Sequence, residues 1–196
     1  MAGPMFLYTI RQIKLPEYET IRQLDREAFV YNIHGGEADY HEIFADKVRR
    51  SPYFIPELDL AAEKDDGLII GHGIFSRLPM GDTGTRAVIL NSLAVRHGEN
   101  DSRRENFFEF QRKGVGQAII RAGFEIAKSL GFTACVVSGN PDVYHGRLGF
   151  RHYYELGLVL DSSVKEAGST IFASELGPDG FAGTNKILGF PGYDFL

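Results

Sequence analysis

Residues 111–116 have the residue types and spacing that are most typical of phosphate binding in this chain. They read Gln-Arg-Lys-Gly-Val-Gly, and an apolar-periodic stretch follows them to Leu130 before Gly131. If that stretch is a helix, its first backbone N–H groups have no intrahelical acceptor, and Arg112 and Lys113 add positive charge beside them. The glycines remove the side chains that would cover those amides. The segment therefore predicts a helix start that binds an anion.

Two apolar runs flank this helix and would position it. Residues 86–95 are almost entirely apolar after a turn signal at 82–85, which predicts a central, mostly buried strand. Residues 115–130 place apolar side chains on one helical face, and residues 132–137 form a second β-rich run. In this order, the phosphate-type turn would follow a buried strand and precede a full helix.

The rest of the chain predicts a mixed architecture. Apolar periodicity indicates a strand over 6–13, helices over 17–29 and 40–48, and strands over 58–63, 68–78, 153–160 and 170–176. The Asp65-Asp66-Gly67 sequence predicts a hairpin turn between two of these strands. Strand, two helices, three strands, helix, strand, short helix and further strands predict an α/β (α+β) fold, a mixed sheet with helices on both faces.

Size and composition restrict the classes of protein that fit. A chain of 196 residues with 43% hydrophobic residues fits one globular domain over 1–196. Its net charge of −5 argues against a general nucleic-acid binder. Cys135 is the sole cysteine, and no apolar run approaches ~18 residues, so we expect a cytoplasmic protein without a membrane span. Cys135 lies in an apolar run and is expected to be a buried, inert thiol.

Further motifs follow the second β-rich run. Asn140-Pro-Asp-Val-Tyr144 is followed by Arg147-Leu-Gly-Phe150. With these segments in place, the chain resembles the GNAT superfamily of N-acetyltransferases, whose acetyl-coenzyme A site carries (Gln/Arg)-x-x-Gly-x-(Gly/Ala). The residues that match this pattern are Gln111, Gly114 and Gly116.

The resemblance extends to a subgroup of small acetyltransferases and covers about residues 9–176. A segment like 51–56 (Ser-Pro-Tyr-Phe-Ile-Pro) precedes the first hairpin in that subgroup, and a pair like Gly71-His72 lies in its second strand. His72 itself is expected to be a hydrogen-bonded core histidine, with a role as catalytic base as the alternative.

The resemblance implies a fold, a cosubstrate and a reaction. The fold is a GNAT-type, mostly antiparallel central sheet, and acetyl-CoA is the cosubstrate, with no metal. The reaction is acetyl transfer to a primary amine by direct attack in a ternary complex, with a small-molecule or peptide amine as acceptor. The alternative is a CoA-binding sensor or interaction module with little turnover. The implied cofactor-binding residues are Leu93, Ala94, Val95, Gln111, Arg112, Lys113, Gly114, Val115, Gly116, Gln117, Asn140 and Tyr144.

Two residues compete for the role of general acid. The family often places a tyrosine four residues before the glycine of the Gly-Phe pair, but Tyr144 lies five residues before Gly149, and His145 has the expected offset. Counting forward from Pro141 puts Tyr144 back in register with the subgroup. Tyr144 and His145 are therefore both predicted catalytic residues, for protonation of the coenzyme A thiolate.

The general base is harder to assign. Many family members carry a glutamate on the central strand, where this chain has Asn91 and Ser92. Glu57 and Asp59, or a water that they hold, are the substitutes that the sequence offers.

Three polar or aromatic segments have competing interpretations. Residues 96–110 are a long insertion, either an exposed loop or a source of phosphate contacts through Arg103 and Arg104. His34, Glu37 and His41 match no tight metal site. The aromatic tail 181–195 would either cover the sheet edge or contact the second copy in a homodimer.

Overall fold

The structure is a computed structural model that describes residues 6–30, 38–81, 86–98, 109–162, 170–182 and 186–190. Its helices are α1 (Tyr18–Val30), α2 (Ala38–Arg50), α3 (Val115–Ser129) and α4 (Pro141–Tyr144). Its strands are β1 (Tyr8–Gln12), β2 (Phe54–Lys64), β3 (Ile69–Arg77), β4 (Ala87–Val95), β5 (Ala134–Ser138), β6 (Arg151–His152), β7 (Val159–Leu160), β8 (Ile171–Glu175) and β9 (Lys186–Ile187).

Within these ranges, seven strands form one sheet in the order β1-β2-β3-β4-β5-β8-β6. Neighbouring strands are antiparallel except β4 and β5, which are parallel and connected through α3. Strands β7 and β9 form a separate parallel pair. The predicted mixed, mostly antiparallel sheet and the order of its main elements are confirmed.

Helices cover both faces of the sheet. On one face, α3 packs through Val115 and Ile119 against the apolar side chains of β2, β3 and β4. On the other face, α1 packs through Leu24 and Ala28, and α2 packs through Phe44. Each helix buries one apolar stripe, as its amphipathic sequence predicts.

The contact between α3 and β3 depends on a glycine. A Cβ atom on Gly123 would lie 2.4 Å from Cζ of Phe75, which is fully buried. The aromatic ring therefore occupies the space that any larger side chain at this helix position would need. The close approach of helix and sheet is set by this pair.

The C-terminal half contains one prediction that is wrong. Residues 153–160 do not form a single strand: Tyr153–Leu156 make a 3₁₀ turn, and only Val159–Leu160 are extended. Gly157, at φ 71°, ends the turn in a left-handed conformation that breaks strand geometry. The turn therefore replaces most of the strand that the apolar alternation predicted.

The described part of the tail covers a face of the sheet, whereas the sequence predicted a cover for the sheet edge or a dimer contact. Phe181, Ile187 and Phe190 are buried in a cluster with Ile89 and Ala173, so they cover a face of the sheet rather than its edge. Residues 191–196 lie outside the described residues, as do His34, Glu37, Arg103 and Arg104. None of the described helices is long and apolar enough to cross a membrane.

Candidate active-site cleft

The central sheet opens next to β4. Strand β4 pairs with β5 from Ala87 opposite Ala134 to Leu90 opposite Val137, and the pairing ends there. At the same point the register between β3 and β4 shifts, because Ser92 lies opposite Ile74 while Leu90 lies opposite Phe75. Asn91 is therefore the extra residue of a β-bulge, which bends a strand and increases its twist. The second half of β4 consequently leaves β5.

A cleft of about 920 Å³ occupies this opening. Its volume lies near the upper end of the range of roughly 300–1,000 Å³ that is typical of small-molecule and cofactor sites. Leu93 and Val95 contribute from the face that α3 covers, and Ala94 contributes from the face that α1 covers. The cleft thus reaches both faces of the sheet. It is lined by Ala28, Phe29, Leu93, Ala94, Val95, Phe110, Gln111, Arg112, Gly114, Val115, Gly116, Gln117, Ile120, Asn140, Asp142, Val143, Tyr144, Arg147, Leu148 and Phe150.

The start of α3 forms one end of the cleft. Gly114 is its N-cap residue, at φ 87°, and no side chain caps the helix. The N–H of Ala118 donates to the carbonyl oxygen of Gly114 at 2.9 Å, which is the first hydrogen bond of the helix. The amides of Val115, Gly116 and Gln117 precede that bond, so the geometry of an α-helix gives them no intrahelical acceptor. An uncapped helix start of this kind attracts anions.

The turn before α3 is tied to the end of β4. The side-chain amide of Gln111 donates to the carbonyl oxygen of Val95 at 2.8 Å, and the N–H of Phe110 donates to the carbonyl oxygen of His97 at 3.4 Å. Phe110 is buried and packs edge-to-face on Phe6 with 5.3 Å between ring centroids. These contacts close the base of the 96–110 insertion and hold the turn against the strand.

Helix α4 forms the other side of the cleft. The side-chain oxygen of Asn140 accepts the N–H of Asp142 at 2.9 Å and so caps this short helix. The half-buried ring of Tyr144 packs edge-to-face on Phe150, with 5.8 Å between centroids, and lies against Gly139. Tyr144 therefore has a fixed ring at the mouth of the opened sheet.

His145 points elsewhere. It is exposed, its ring lies 4.8 Å from that of His152, and it is not part of the cleft lining. Lys113 is likewise exposed and outside the lining. The structure brings together all the other predicted cofactor-binding residues.

The lining also contains residues that the sequence did not single out. Ala28 and Phe29 come from the end of α1, and Arg147 comes from the connection after α4. The sequence carries no signal for the α1 residues, because their place beside β4 depends on how the helix packs across the sheet. Arg147 begins the segment Arg147-Leu-Gly-Phe150, but its position in that segment does not indicate a contact with the cleft.

Neither of the two suggested bases lines the cleft. Glu57 is exposed on β2. Asp59 is buried, and its carboxylate accepts from Arg49 Nε at 2.8 Å and lies 3.1 Å from His72 Nε2. Burial alone would raise the pKa of Asp59, but His72 and Arg49 together lower it. Asp59 is thus an ion-paired structural carboxylate.

His72 has the core position expected for it, within a larger network of charges. It is fully buried, and its Nδ1 lies 2.9 Å from Oδ1 of Asp25 on α1. Burial alone would lower the pKa of His72, but the carboxylates of Asp25 and Asp59 raise it to about 9. An imidazole that faces carboxylates on both nitrogens is held as a cation, so His72 is not a general base. Cys135 is also buried, and burial raises the pKa of its thiol.

Three solved structures have a similar fold. A GNAT family N-acetyltransferase (YhbS) from Escherichia coli in complex with CoA has a TM-score of 0.73, with 21% identity over 96% of this chain and 93% of that one. A GNAT family acetyltransferase from Brucella melitensis in complex with acetyl-CoA has a TM-score of 0.69, with 22% identity over 97% and 100% of the two chains. The PaiA N-acetyltransferase from Thermoplasma acidophilum in complex with coenzyme A has a TM-score of 0.54, with 17% identity over 86% and 99%.

No protein-family model and no curated protein matches this sequence. At these identities, the structural likeness shows that the chain has the GNAT fold. Among the described residues, no group of three or more His, Cys, Asp or Glu side chains is arranged to hold a metal ion.

Proposed function

We propose that this protein is a cytoplasmic N-acetyltransferase that uses acetyl-CoA as its acetyl donor and a primary amine as its acceptor. One observation carries the proposal. The cleft lies where the sheet opens, and its lining contains both an uncapped helix start and a tyrosine. Acetyl-CoA is a long molecule with an anionic pyrophosphate and an acetyl thioester at opposite ends, and the cleft offers a matching group for each.

The pyrophosphate would be bound at the start of α3. The amides of Val115, Gly116 and Gln117 lie at the positive end of the helix dipole, and Arg112 adds a full charge in the lining. A Cβ atom on Gly116 would meet Cδ2 of Leu93 at 3.4 Å, an ordinary contact distance, so the glycine leaves the space beside the helix start open. The chemistry of this end fits a phosphate group.

The pantetheine arm would lie along the second half of β4. Beyond Leu90, the edge of β4 that faces β5 has no strand paired to it among the described residues, so backbone groups of this edge are accessible to the amides of the arm. Leu93 and Val95 supply apolar side chains beside it. Asn140 faces them across the opening.

The acetyl end would lie near Tyr144. The acetyl thioester supplies the acyl group that the uncharged amine attacks, and coenzyme A leaves as a thiolate. We assign the return of a proton to that thiolate to the hydroxyl of Tyr144, because Tyr144 lines the cleft and His145 does not. A rigid ring packed on Phe150 suits a proton donor that must keep one position.

A second function, coenzyme A binding with little turnover, is favoured by one observation. The β4 bulge carries Asn91 and Ser92 where a family base would lie, and Asp59 is neutralised by Arg49 and His72. A protein of this type would bind acetyl-CoA and respond to it, without releasing free thiol at a useful rate.

The test measures binding and turnover separately. Calorimetry should give a micromolar-range dissociation constant for acetyl-CoA. Gly116→Asp, which puts a carboxylate against the pyrophosphate, should abolish binding, and Gly177→Asp, the same change in open space away from the cleft, should not. Unaltered affinity in Gly116→Asp would refute the cofactor site.

Turnover is then tested as release of free thiol from acetyl-CoA with a panel of an alkylamine, a polyamine, an aminoglycoside, a dipeptide and a lysine-containing peptide. Steady release with any amine supports the transferase. Binding without release across the panel favours the coenzyme A-binding module.

A further inference from the structure

A buried charge network lies directly behind one wall of the cleft. His72 on β3 contacts Asp25 on α1 through Nδ1 at 2.9 and 3.0 Å, and contacts Asp59 on β2 through Nε2 at 3.1 Å. Asp59 in turn accepts two hydrogen bonds from Arg49 on α2. The network therefore connects both helices of one sheet face to the strands beneath them.

The two central residues of this network, Asp25 and His72, each lie next to residues that line the cleft. Asp25 lies one helical turn before Ala28 and Phe29, which form the part of the cleft wall that comes from α1. His72 lies opposite Ala94 in the pairing of β3 and β4, and Ala94 also lines the cleft. The contact between Asp25 and His72 thus joins α1 to β3, the strand that pairs with β4 at this wall.

Two weaker contacts also involve the end of α1. Arg96 donates to Glu27 at 2.8 Å, but the Glu27 side chain is 41% exposed, and exposed pairs stabilise little. His97 Nε2 lies 3.3 Å from the carbonyl oxygen of Ala28. By contrast, Asp25 and His72 are both fully buried, and loss of one partner would leave a buried charge uncompensated.

We propose that Asp25 and His72 are positioning residues that fix the end of α1, so that Ala28 and Phe29 form the acceptor-side wall of the cleft. The assignment of this wall to the acceptor side rests on the proposed function, because the wall lies on the sheet face opposite α3, whose start would hold the pyrophosphate. The position of the wall itself is a property of the protein alone.

The charges around His72 make this position sensitive to pH. His72 faces Asp25 from α1 and Asp59 from β2, while Arg49 and Asp46 from α2 and Arg22 from α1 complete the network. When His72 loses its proton, two buried carboxylates remain with Arg49 as the cation that contacts Asp59. The neutral imidazole has one N–H for two carboxylates, so the ion pair that holds Asp25 to β3 is lost and the end of α1 loosens.

The chain has no tryptophan, so a single introduced tryptophan reports on one site without background. Phe29→Trp places the reporter in the wall. Its acrylamide quenching constant should at least double, and its emission should shift to the red, as pH rises from 7 to 10 with a midpoint near 9. Adding Asp25→Ala should give the high quenching constant and the red-shifted emission already at pH 7. Asp25→Asn keeps a hydrogen-bond acceptor for His72, so it should retain most of the low quenching constant at pH 7.

Three controls separate positioning from general destabilisation. His72→Asn removes the titrating group, so the transition near pH 9 should disappear from the wall reporter. Leu24→Ala loosens the packing of the same helix without touching a charge, so it should leave the pH transition in place. Phe124→Trp, on α3 across the sheet, should show no transition at all. Equal transitions in both reporters, or none in the wall reporter, would overturn the proposal.

A second measurement covers the case in which the tryptophan variant does not fold. Hydrogen exchange of the α1 backbone amides is compared at pH 7 between the unmodified chain and Asp25→Ala. The proposal expects at least tenfold faster exchange in the last turn of α1 and unchanged exchange in α3, and equal exchange in α1 would refute it. Neither readout needs acetyl-CoA or turnover, so a failure of the proposed function stays distinguishable from a failure of this inference.

Discussion

The side-chain amide of Gln111 donates to the carbonyl oxygen of Val95 at 2.8 Å, and this bond couples the part of the cleft that would bind the pyrophosphate to the part that would bind the pantetheine arm. Gln111 begins the turn that leads into α3, whereas Val95 ends the strand that borders the opened sheet. The turn and the strand are therefore held at one fixed separation.

Replacement of Gln111 should weaken binding of acetyl-CoA without unfolding the protein. Gln111→Ala loses one hydrogen bond, worth about 1 kcal/mol, and frees the turn. Gln111→Glu should be worse, because its carboxylate faces the Val95 carbonyl without a donor. Calorimetry should give a dissociation constant raised about fivefold for alanine and more for glutamate; an order with glutamate as the milder change would contradict this role.

The two cations before α3 should contribute unequally. Arg112 lines the cleft, whereas Lys113 is exposed outside it. Arg112→Ala should raise the dissociation constant of acetyl-CoA about tenfold, since a charge-assisted contact to phosphate is lost. Lys113→Ala should change it by less than about threefold. Equal effects at low salt would mean that only the summed charge of the turn matters.

Tyr144 and His145 can be separated by a matched pair of variants. Tyr144→Phe removes the hydroxyl and keeps the ring packed on Phe150, so turnover should fall about 100-fold with acetyl-CoA affinity unchanged. His145→Gln should leave turnover near that of the unmodified enzyme, because His145 lies outside the cleft lining. The reverse result in the thiol-release assay would transfer the general-acid role to His145.

Stability should fall in alkaline solution because of His72. Its pKa is about 9 in the folded protein and near 6.5 when unfolded, so the stabilisation is complete below pH 6.5 and is lost as pH rises to about 9. The loss should be about 3 kcal/mol. Asp59 has the opposite pH dependence. Because its pKa is lowered from the ordinary value of 3.8, its ionised form stabilises the folded protein above pH 3.8, and this stabilisation is lost as pH falls further.

Urea unfolding from pH 6 to 9.5 measures the alkaline loss, and His72→Asn should flatten the curve. An unfolding free energy that is constant between pH 6.5 and 9 would be incompatible with a charged His72.

The approach of α3 to the sheet gives a prediction about packing. Gly123→Ala would put a Cβ atom 2.4 Å from the buried ring of Phe75. The overpacking should cost about 1–3 kcal/mol and exceed the gain of roughly 1 kcal/mol in helix propensity. Gly116→Ala is the control, since its Cβ would meet only ordinary contacts. Urea unfolding without ligand should show Gly123→Ala as the less stable variant.

Sequence patterns predicted the main elements because the residues that determine each element are close together in the chain. The helix predicted over 115–130 is α3, the strand over 86–95 is β4, and the turn at Asp65-Asp66-Gly67 joins β2 to β3. Apolar spacing and a glycine-containing turn suffice for such elements. The strand predicted over 153–160 is wrong, because a turn easily replaces so short an apolar alternation, and Gly157 ends that turn here.

The candidate site was predictable where a local motif or the family resemblance marked its residues. Gln111 to Gln117 are consecutive, so their shared position follows from one turn and one helix start. Ala28 and Phe29 are more than sixty residues away in sequence, and their place depends on the packing of α1 across the sheet. For the same reason the sequence left Asp59 among the candidate bases, because its partners Arg49 and His72 come from two other elements.

The short parallel pairing of β4 with β5 also bears on how the chain folds. Strands β2, β3 and β4 follow one another in the chain and in the sheet, so their pairing joins segments that are close in sequence, whereas β1 and β2 are about as far apart in sequence as β4 and β5. Strand β5 reaches β4 only after a long crossover through α3, and it is held over the pairs from Ala87–Ala134 to Leu90–Val137. Because distant segments pay the largest loop-closure entropy, we expect β2, β3 and β4 to assemble first, and β1, β5 and β8 to dock afterwards.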